Sequence, residues 1–347
     1  MEQITIKEIA KQCGVGVSTV SRAINNHPDI NKETREMIME TIRKYNYVPN
    51  NSARNLKRSD SKTIAVLVKG ISNPFFGLMI QVLEREVIRQ KYSFVLQHVE
   101  EGEDEVEVAI QLEKEKRLKG IVFLGGMYMH KEEKLEQLTV PYVISTVNMQ
   151  LPENGRQGAS VSIDDEAESF HMVDYLCECG HKRIAILTAS AEDISIGKMR
   201  LKGYLRALQK HGIAPDHELI LPMNKDQQTY SIANGYDQMN KLLERGTDFT
   251  CVYAISDTLA IGACRALFEA GLRIPQDVSV AGFDGLDIAA YYQPSVTTIE
   301  QPREEMAAET IRLLFEMIKK KPVEKKKIFE AKLLERESTR NLKGSLD

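Results

Sequence analysis

From residue 61 onward the chain alternates short apolar runs with amphipathic helical stretches, and few patterns restrict a fold more tightly. Ile64-Ala65-Val66-Leu67-Val68 reads as a buried strand, and the stretch after it spaces Phe76, Met79, Ile80, Leu83, Val87 and Ile88 along one helical face. The same unit recurs at Phe94-Val95-Leu96, Ile121-Val122-Phe123-Leu124, Tyr142-Val143-Ile144, Ile184-Ala185-Ile186-Leu187, Cys251-Val252-Tyr253-Ala254-Ile255 and Val278-Ser279-Val280-Ala281. Strand–helix alternation builds parallel sheets covered by helices. This many units predicts two doubly wound lobes, with a cleft for a small molecule outside the carboxyl ends of the strands.

The first sixty residues follow a different pattern. Thr5 and Glu8 stand three apart in the order of a capping box, and Ile6, Ile9, Ala10 and Cys13 fall on one face of a first helix. Gly14-Val15-Gly16 makes a turn, after which Val20, Ala23 and Ile24 supply the buried side of a second helix. Val17, Ser18, Ser21 and Arg22 are left facing outward. A third helix is predicted from Lys32 to Asn46, capped by Asn31, with Met37, Ile38, Thr41, Ile42 and Tyr45 closing a three-helix core. Two short helices around a glycine turn form a helix-turn-helix, which lays its second helix in the DNA major groove. The segment Tyr47-Val48-Pro49-Asn50-Asn51-Ser52-Ala53-Arg54-Asn55-Leu56-Lys57-Arg58 has an Asn cap and one Leu, too little apolar surface for a helix stable alone. It reads either as a solvated linker or as a helix that forms on DNA.

Charge divides the chain in the same place. Residues 1–60 carry ten Lys and Arg against seven Asp and Glu, and the remaining residues 36 against 43. The basic end suits phosphate, and the acidic body suits a sensor. With 347 residues the chain exceeds one ordinary domain. No apolar run approaches the roughly 20 residues of a membrane span, so a cytoplasmic protein without a membrane partner is expected. Cysteines 13, 177, 179, 251 and 264 sit inside predicted elements and suit reduced thiols. Cys177-x-Cys179-x-His181 lacks the second half of a metal site, and neither metal nor cofactor is expected. There is no G-x-G-x-x-G after a strand, no phosphate-binding G-x-x-x-x-G-K and no G-x-S-x-G, which argues against an enzyme.

Thr5-Ile6-Lys7-Glu8-Ile9-Ala10, Val17-Ser18-Thr19-Val20-Ser21-Arg22, Thr34-Arg35, Tyr47-x-Pro49-Asn50 and Ala53-x-x-Leu56 together resemble the lac repressor/Gal repressor family of bacterial transcription regulators, over nearly the whole chain. That resemblance implies an N-terminal all-α helix-turn-helix domain joined to an α/β bilobed body like a periplasmic sugar receptor. The implied boundaries are 1–49 for the DNA-binding domain, 50–60 for a hinge helix, 61–340 for the effector and dimerisation body, and 341–347 for a tail. Within the body, one lobe comprises 61–163 and 294–324 and the other 164–293 and 325–340, with crossings near Asp164, Gln293 and Lys325. A late helix from Arg303 to Lys319 returns to the first lobe.

The resemblance also implies roles. Val17, Ser18 and Arg22 become base-contact candidates, Arg22 as a bidentate partner of guanine. Thr5, Thr19, Ser21, Asn25 and Tyr47 become phosphate contacts, which fix register without reading sequence. In the hinge, Asn50 and Ala53 join a minor-groove contact set in which Leu56 wedges between base pairs and Lys57 reaches the groove wall. Gly16 departs from the family's Ser and makes a weaker cap. For the effector, Arg200 and Asp284 match the pair that holds it and Tyr230 an aromatic that stacks on it. Asn73, Phe75, Phe76, Thr146, Ser256, Asp257 and Gln301 complete the candidate set, Asp257 doubling as an ordinary helix cap. Thr146 stands where sugar-binding members often carry Asp, and Ile194 and Ile196 replace polar groups of a purine-binding member, so a purine is disfavoured. The reading is a homodimeric regulator, usually a repressor, on a pseudo-palindromic operator, controlled by a sugar or sugar derivative. A carrier-protein-controlled regulator and a cytoplasmic solute-binding protein are the alternatives. The tail beyond Ser338 lacks heptads, so a tetramerising coil is not expected.

Overall fold

A computed structural model describes residues 5–24, 27, 29–45, 62–127, 132–149, 157–190 and 193–343. The chain divides into two compact units, Met1–Ser61 and Lys62–Asp347. In the first, helix α1 (Ile6–Gln12) begins at the capping box expected of it: Glu8 N donates to Thr5 Oγ1 at 3.4 Å, and Thr5 N donates to Glu8 Oε2 at 2.6 Å. Helix α2 (Val17–Ile24) follows the turn at Gly14, and α3 (Lys32–Lys44) starts from Asn31, whose Oδ1 accepts from Glu33 N. Ile9, Ala10, Val20, Ala23 and Ile38 form a small core, with Ile6, Cys13, Ile24 and Ile42 packed at its margin. The core contribution expected of α3 was too broad. Met37 is 40% exposed and Tyr45 38%, because Met37 lies about 100° around the helix from Ile38 and cannot share its face. The helix also stops at Lys44, short of the Asn46 expected, with Tyr45 as its cap.

The second unit holds two parallel sheets. In chain order the first lobe supplies β1 (Thr63–Lys69), α4 (Phe75–Arg89), β2 (Ser93–Val99), α5 (Glu105–Lys116), β3 (Gly120–Leu124), α6 (Glu132–Leu135), β4 (Tyr142–Ser145) and β5 (Gly158–Ile163). The second lobe supplies α7 (Asp165–Glu178), β6 (Ile184–Thr188), α8 (Ile196–Lys210), β7 (Ile220–Pro222), α9 (Ile232–Arg245), β8 (Cys251–Ala254), α10 (Asp257–Glu269), β9 (Ser279–Ala281) and α11 (Asp287–Tyr291). Then come β10 (Thr298–Glu300), α12 (Arg303–Ile318), β11 (Lys326–Phe329) and β12 (Lys332–Leu334). The first sheet has the order β11-β5-β4-β3-β1-β2 and the second β7-β6-β8-β9, all parallel. Buried strands such as β3 and β4, covered on both faces, read as continuous apolar runs for that reason.

Two of the three expected crossings move. At the first, β5 ends at Ile163, and Asp164 caps α7 by accepting from Ala167 N. The second lies beyond Gln293, because Thr297 and Glu300 still bridge to Ala281 and Asp284 of the second lobe. The third lies beyond Lys325, because Lys326–Phe329 adds an edge strand to the first sheet. Only after β12 pairs antiparallel with β10 does the chain rejoin the second lobe, where Val280 N donates to Ser338 O. Short edge strands carry half-exposed, lysine-rich sequences with no buried run to announce them. Helix α12 does pack on the first sheet, with Thr310 Oγ1 3.0 Å from Ser145 Oγ and Phe315 edge-on to Tyr92.

Candidate functional site

The carboxyl ends of both sheets face each other across a cavity of 520 Å³. Lys69, Gly125, Gly126 and Thr146 come from the ends of β1, β3 and β4, and Ala189 and Ser190 from the end of β6. The wall is close to backbone at Gly125 and Gly126. Both have positive φ, and a Cβ there would stand 2.7 Å from Lys69 O and 2.3 Å from Glu105 Oε1.

Asn73, Phe75, Phe76, Thr146, Arg200, Tyr230, Asp284 and Gln301 all line this cavity. Ser256 and Asp257 do not. Ser256 is the N-cap of α10, accepting from Leu259 N. Asp257 turns away to accept from Thr298 Oγ1 and Leu286 N, both at 2.6 Å. It ties the β9 loop to β10, and burial, followed by the nearby Asp284 charge, pushes its carboxyl up to about 7. Their place on the strand-end side of a helix matched the pattern; the direction of the side chains did not.

The polar centre is a buried charge cluster. Arg200 reaches Asp165 through both Nε and its second amino group at 2.8 Å, while its first donates to Ile255 O at 2.5 Å and Asp284 Oδ1 at 3.3 Å. The guanidinium lies 3.7 Å from the centre of the Phe283 ring. Arg200 therefore meets the cavity largely satisfied. Asp165, which the sequence reading missed, is its main partner. Asp284 accepts from Gln301 Nε2 at 2.8 Å on the same Oδ1, and its Oδ2 is buried with no hydrogen-bond partner. Burial raises its carboxyl to about 6 against the pull of Arg200, and its φ of 110° is one that few residues other than glycine adopt. Tyr230 Oη and Ser190 Oγ are also buried and unpartnered. Buried polar atoms are rarely left so, and three of them share this cavity. Burial pushes the Tyr230 phenol well above its ordinary range, so it is a donor at neutral pH.

The remaining lining explains what could and could not be read beforehand. Asn73 Oδ1 accepts from Phe75 N to start α4, and Thr146 Oγ1 accepts from Gly125 N at 3.1 Å. Ile194 and Ile196 stand in the lining as the sequence reading placed them, with Ile196 packed against the core of the first lobe. Glu101, Asp193, Ser195 and Thr229 were missed. Thr229 Oγ1 donates to Glu101 Oε1 at 2.9 Å, joining the lobes across the cavity mouth. Position after a strand end is the signal shared by Lys69 and Ser190; loop residues such as Thr229 carry none.

In the first unit, Val17, Ser18 and Arg22 are exposed along α2, and Thr19 and Ser21 are partly buried. Arg22 pairs with Asp29 at 3.3 Å, both about half exposed, and Asp29 also hydrogen-bonds His27. Asn25, Tyr47, Asn50, Ala53, Leu56, Lys57 and the whole 50–60 segment lie outside the described residues. His181 bonds Thr250 and the Arg340 carbonyl through its two ring nitrogens. No helix among the described residues is long and apolar enough to cross a membrane.

A helix-turn-helix unit joined to a bilobed body with a ligand-sized interlobe cavity defines a ligand-responsive class of DNA-binding transcription regulator. The family description "Bacterial regulatory proteins, lacI family" matches residues 5–50, and "Periplasmic binding protein-like domain" matches 173–339. The chain is 40% identical to the HTH-type transcriptional regulator MalR of Clostridium butyricum, over 98% of this chain and all of that one. It also resembles the solved transcriptional regulator CelR–cellobiose complex, at 29% identity and a TM-score of 0.68 over 96% of this chain and 99% of that one. A third relative is a LacI family regulator from Enterococcus faecium with bound ribose, at 28% identity and a TM-score of 0.69 over 81% of this chain and 100% of that one. The chain belongs to the lacI family of bacterial regulatory proteins. It is a transcription regulator and not an enzyme.

Proposed function

We propose that a sugar or sugar derivative in the interlobe cavity controls the binding of this protein, as a homodimer and usually as a repressor, to a pseudo-palindromic operator. The observation that carries the ligand class is the trio of unpartnered buried atoms, Asp284 Oδ2, Tyr230 Oη and Ser190 Oγ, in one cavity walled by Phe75 and Phe76. A carboxylate oxygen accepts from ligand hydroxyls, a phenol donates to ligand oxygen, and flat apolar rings cover the C–H faces of a sugar. A volume of 520 Å³ falls within the roughly 300–1,000 Å³ of small-molecule sites. The solved relatives that bind cellobiose and ribose support the same class.

On DNA, Val17, Ser18 and Arg22 read bases, while Thr5, Thr19, Ser21, Asn25 and Tyr47 hold phosphates; Asn50, Ala53, Leu56 and Lys57 form the minor-groove hinge. Arg22 must release Asp29 to reach a base, a step that costs little because exposed ion pairs are worth about 0–1 kcal/mol. The protein works in the cytoplasm, on the nucleoid when bound. Selection from random duplex DNA supplies the operator, and a panel of mono- and disaccharides is then titrated against the complex. A two-fold symmetric consensus, with one sugar class shifting the affinity by about 5- to 150-fold, is the expected outcome. Operator affinity indifferent to every sugar, together with no sugar binding by calorimetry, would overturn the ligand assignment.

A further inference from the structure

The acidic body is not uniformly acidic. Every strand of the first sheet is parallel, so β1, β2, β3, β5 and β11 all begin on one edge, and α4, α5 and α12 all end there. Direct contacts join this edge: Ser93 N donates to Lys62 O, Lys119 N to Thr63 O and Ser160 N to Lys325 O, while Ile318 lies against Gly120. Lys62, Lys91, Lys116, Arg117, Lys119 and the run Lys319-Lys320-Lys321-Pro322-Val323-Glu324-Lys325-Lys326-Lys327 are gathered on it. Lys319, Lys320, Lys321 and Lys326 are exposed. The opposite edge of the same sheet carries Glu100, Glu101, Glu103, Asp104, Glu105 and Glu107, with Lys69 paired to Glu105 and Lys134 to Asp104 and Glu107.

Helix ends sharpen the contrast. In the second lobe α7, α8, α9 and α10 are each followed by a glycine of positive φ: Gly180, Gly212, Gly246 and Gly271. This is the ordinary way to stop a helix. In the first lobe the same left-handed position after α4, α5 and α12 is held by Lys91, Arg117 and Lys320, with φ of 63°, 50° and 57°. A side chain there is strained where glycine is not. Attraction of cations to helix C-termini is general, yet the second lobe does without it at that position. The charge on this edge is kept against a conformational preference, three times over.

The basic edge is also where the DNA-binding unit is attached. Lys62 immediately precedes β1, and only the sixteen residues 46–61 separate it from Tyr45. We propose that this edge is a second DNA contact, holding phosphates of the duplex that flanks the operator. The inference builds on the DNA-binding reading above and adds to it a sequence-independent term.

The test uses the full-length protein, its selected operator, and the same operator extended by about ten base pairs, one helical turn, on each side. The triple variant Lys91→Gly/Arg117→Gly/Lys320→Gly removes three charges while relieving three strained residues, so it melts no lower than wild type. Wild type is expected to bind the long duplex more tightly than the short one, with a steeper salt dependence between about 50 and 200 mM. The variant is expected to match wild type on the short duplex, lose that gain on the long one, and lose about 0.9 of log–log salt slope per phosphate contact removed. Lys321→Gln/Lys326→Gln, away from the left-handed positions, should move the long-duplex affinity in the same direction. Equal long-duplex affinities and slopes for wild type and both variants would overturn the second contact alone. Absence of any sequence-selective binding by wild type would overturn the operator reading and this inference with it.

Discussion

Asp284→Asn separates a ligand-binding role from a structural one because the two predict opposite signs. Arg200, Asp165 and Asp284 together place one positive and two negative groups in a buried cluster. Arg200 is chiefly served by Asp165 and the Ile255 carbonyl, and Asp284 by a longer contact of 3.3 Å. An Asp carboxyl raised from its ordinary 3.8 to about 6 by burial favours the fold when protonated. That contribution is fully present below pH 4 and lost as pH rises through 6. By about 1.4 kcal/mol per unit, ionising Asp284 in the fold opposes stability by on the order of 3 kcal/mol at neutral pH. Asn keeps the shape, tolerates positive φ better than most residues, and removes that charge. We therefore expect the variant to melt at least as high as wild type at pH 7.5, with a margin that shrinks toward pH 5. At about 2–4 °C per kcal/mol for a domain of 150–250 residues, the rise is at most about 6–12 °C. Sugar binding moves the other way. Losing a charged acceptor weakens it by about 1.5–3 kcal/mol, read by calorimetry, and wild-type affinity itself falls below pH 6 as Asp284 protonates. A variant that melts several degrees lower at pH 7.5, or binds sugar as wild type does, would refute the argument.

Arg200→Ala leaves Asp165 and Asp284 buried without their cation and should destabilise the body by about 3–5 kcal/mol, seen as a lower urea midpoint, whereas wild-type stability would show that water replaces the guanidinium. Arg22→Ala should leave melting within about 0.5 kcal/mol, since its pair with Asp29 is exposed, yet weaken operator binding by about 1–3 kcal/mol and relax one position per half-site; an unchanged selection profile would remove Arg22 from the reading set. Gly16→Ser should stabilise the first unit by a few tenths of a kcal/mol, because a Cβ there meets nothing closer than 3.5 Å and the hydroxyl caps α2. A lower melting temperature would mean the turn needs glycine.

Local chemistry made much of this protein legible in advance. The capping box at Thr5 and Glu8, the Asn31 cap and the buried runs of β1, β3, β4, β6 and β8 are interactions between near neighbours, and they appear where the sequence places them. The resemblance to the family, not local chemistry, named Asn73, Phe75, Arg200 and Asp284 as effector candidates, and all four line the interlobe cavity. Long-range geometry decided the rest. Nothing near Asp257 in the chain says that its carboxylate turns toward Leu286 and Thr298, twenty-nine and forty-one residues away. Nothing near Arg200 names Asp165, and nothing in Lys326–Phe329 says that it extends the first sheet. Periodicity reports which face of an element is buried. Which side chain meets which, whether a buried charge is shared or left free, and which edge gathers the lysines depend on residues far apart in sequence, and those are set only when the sheets pack.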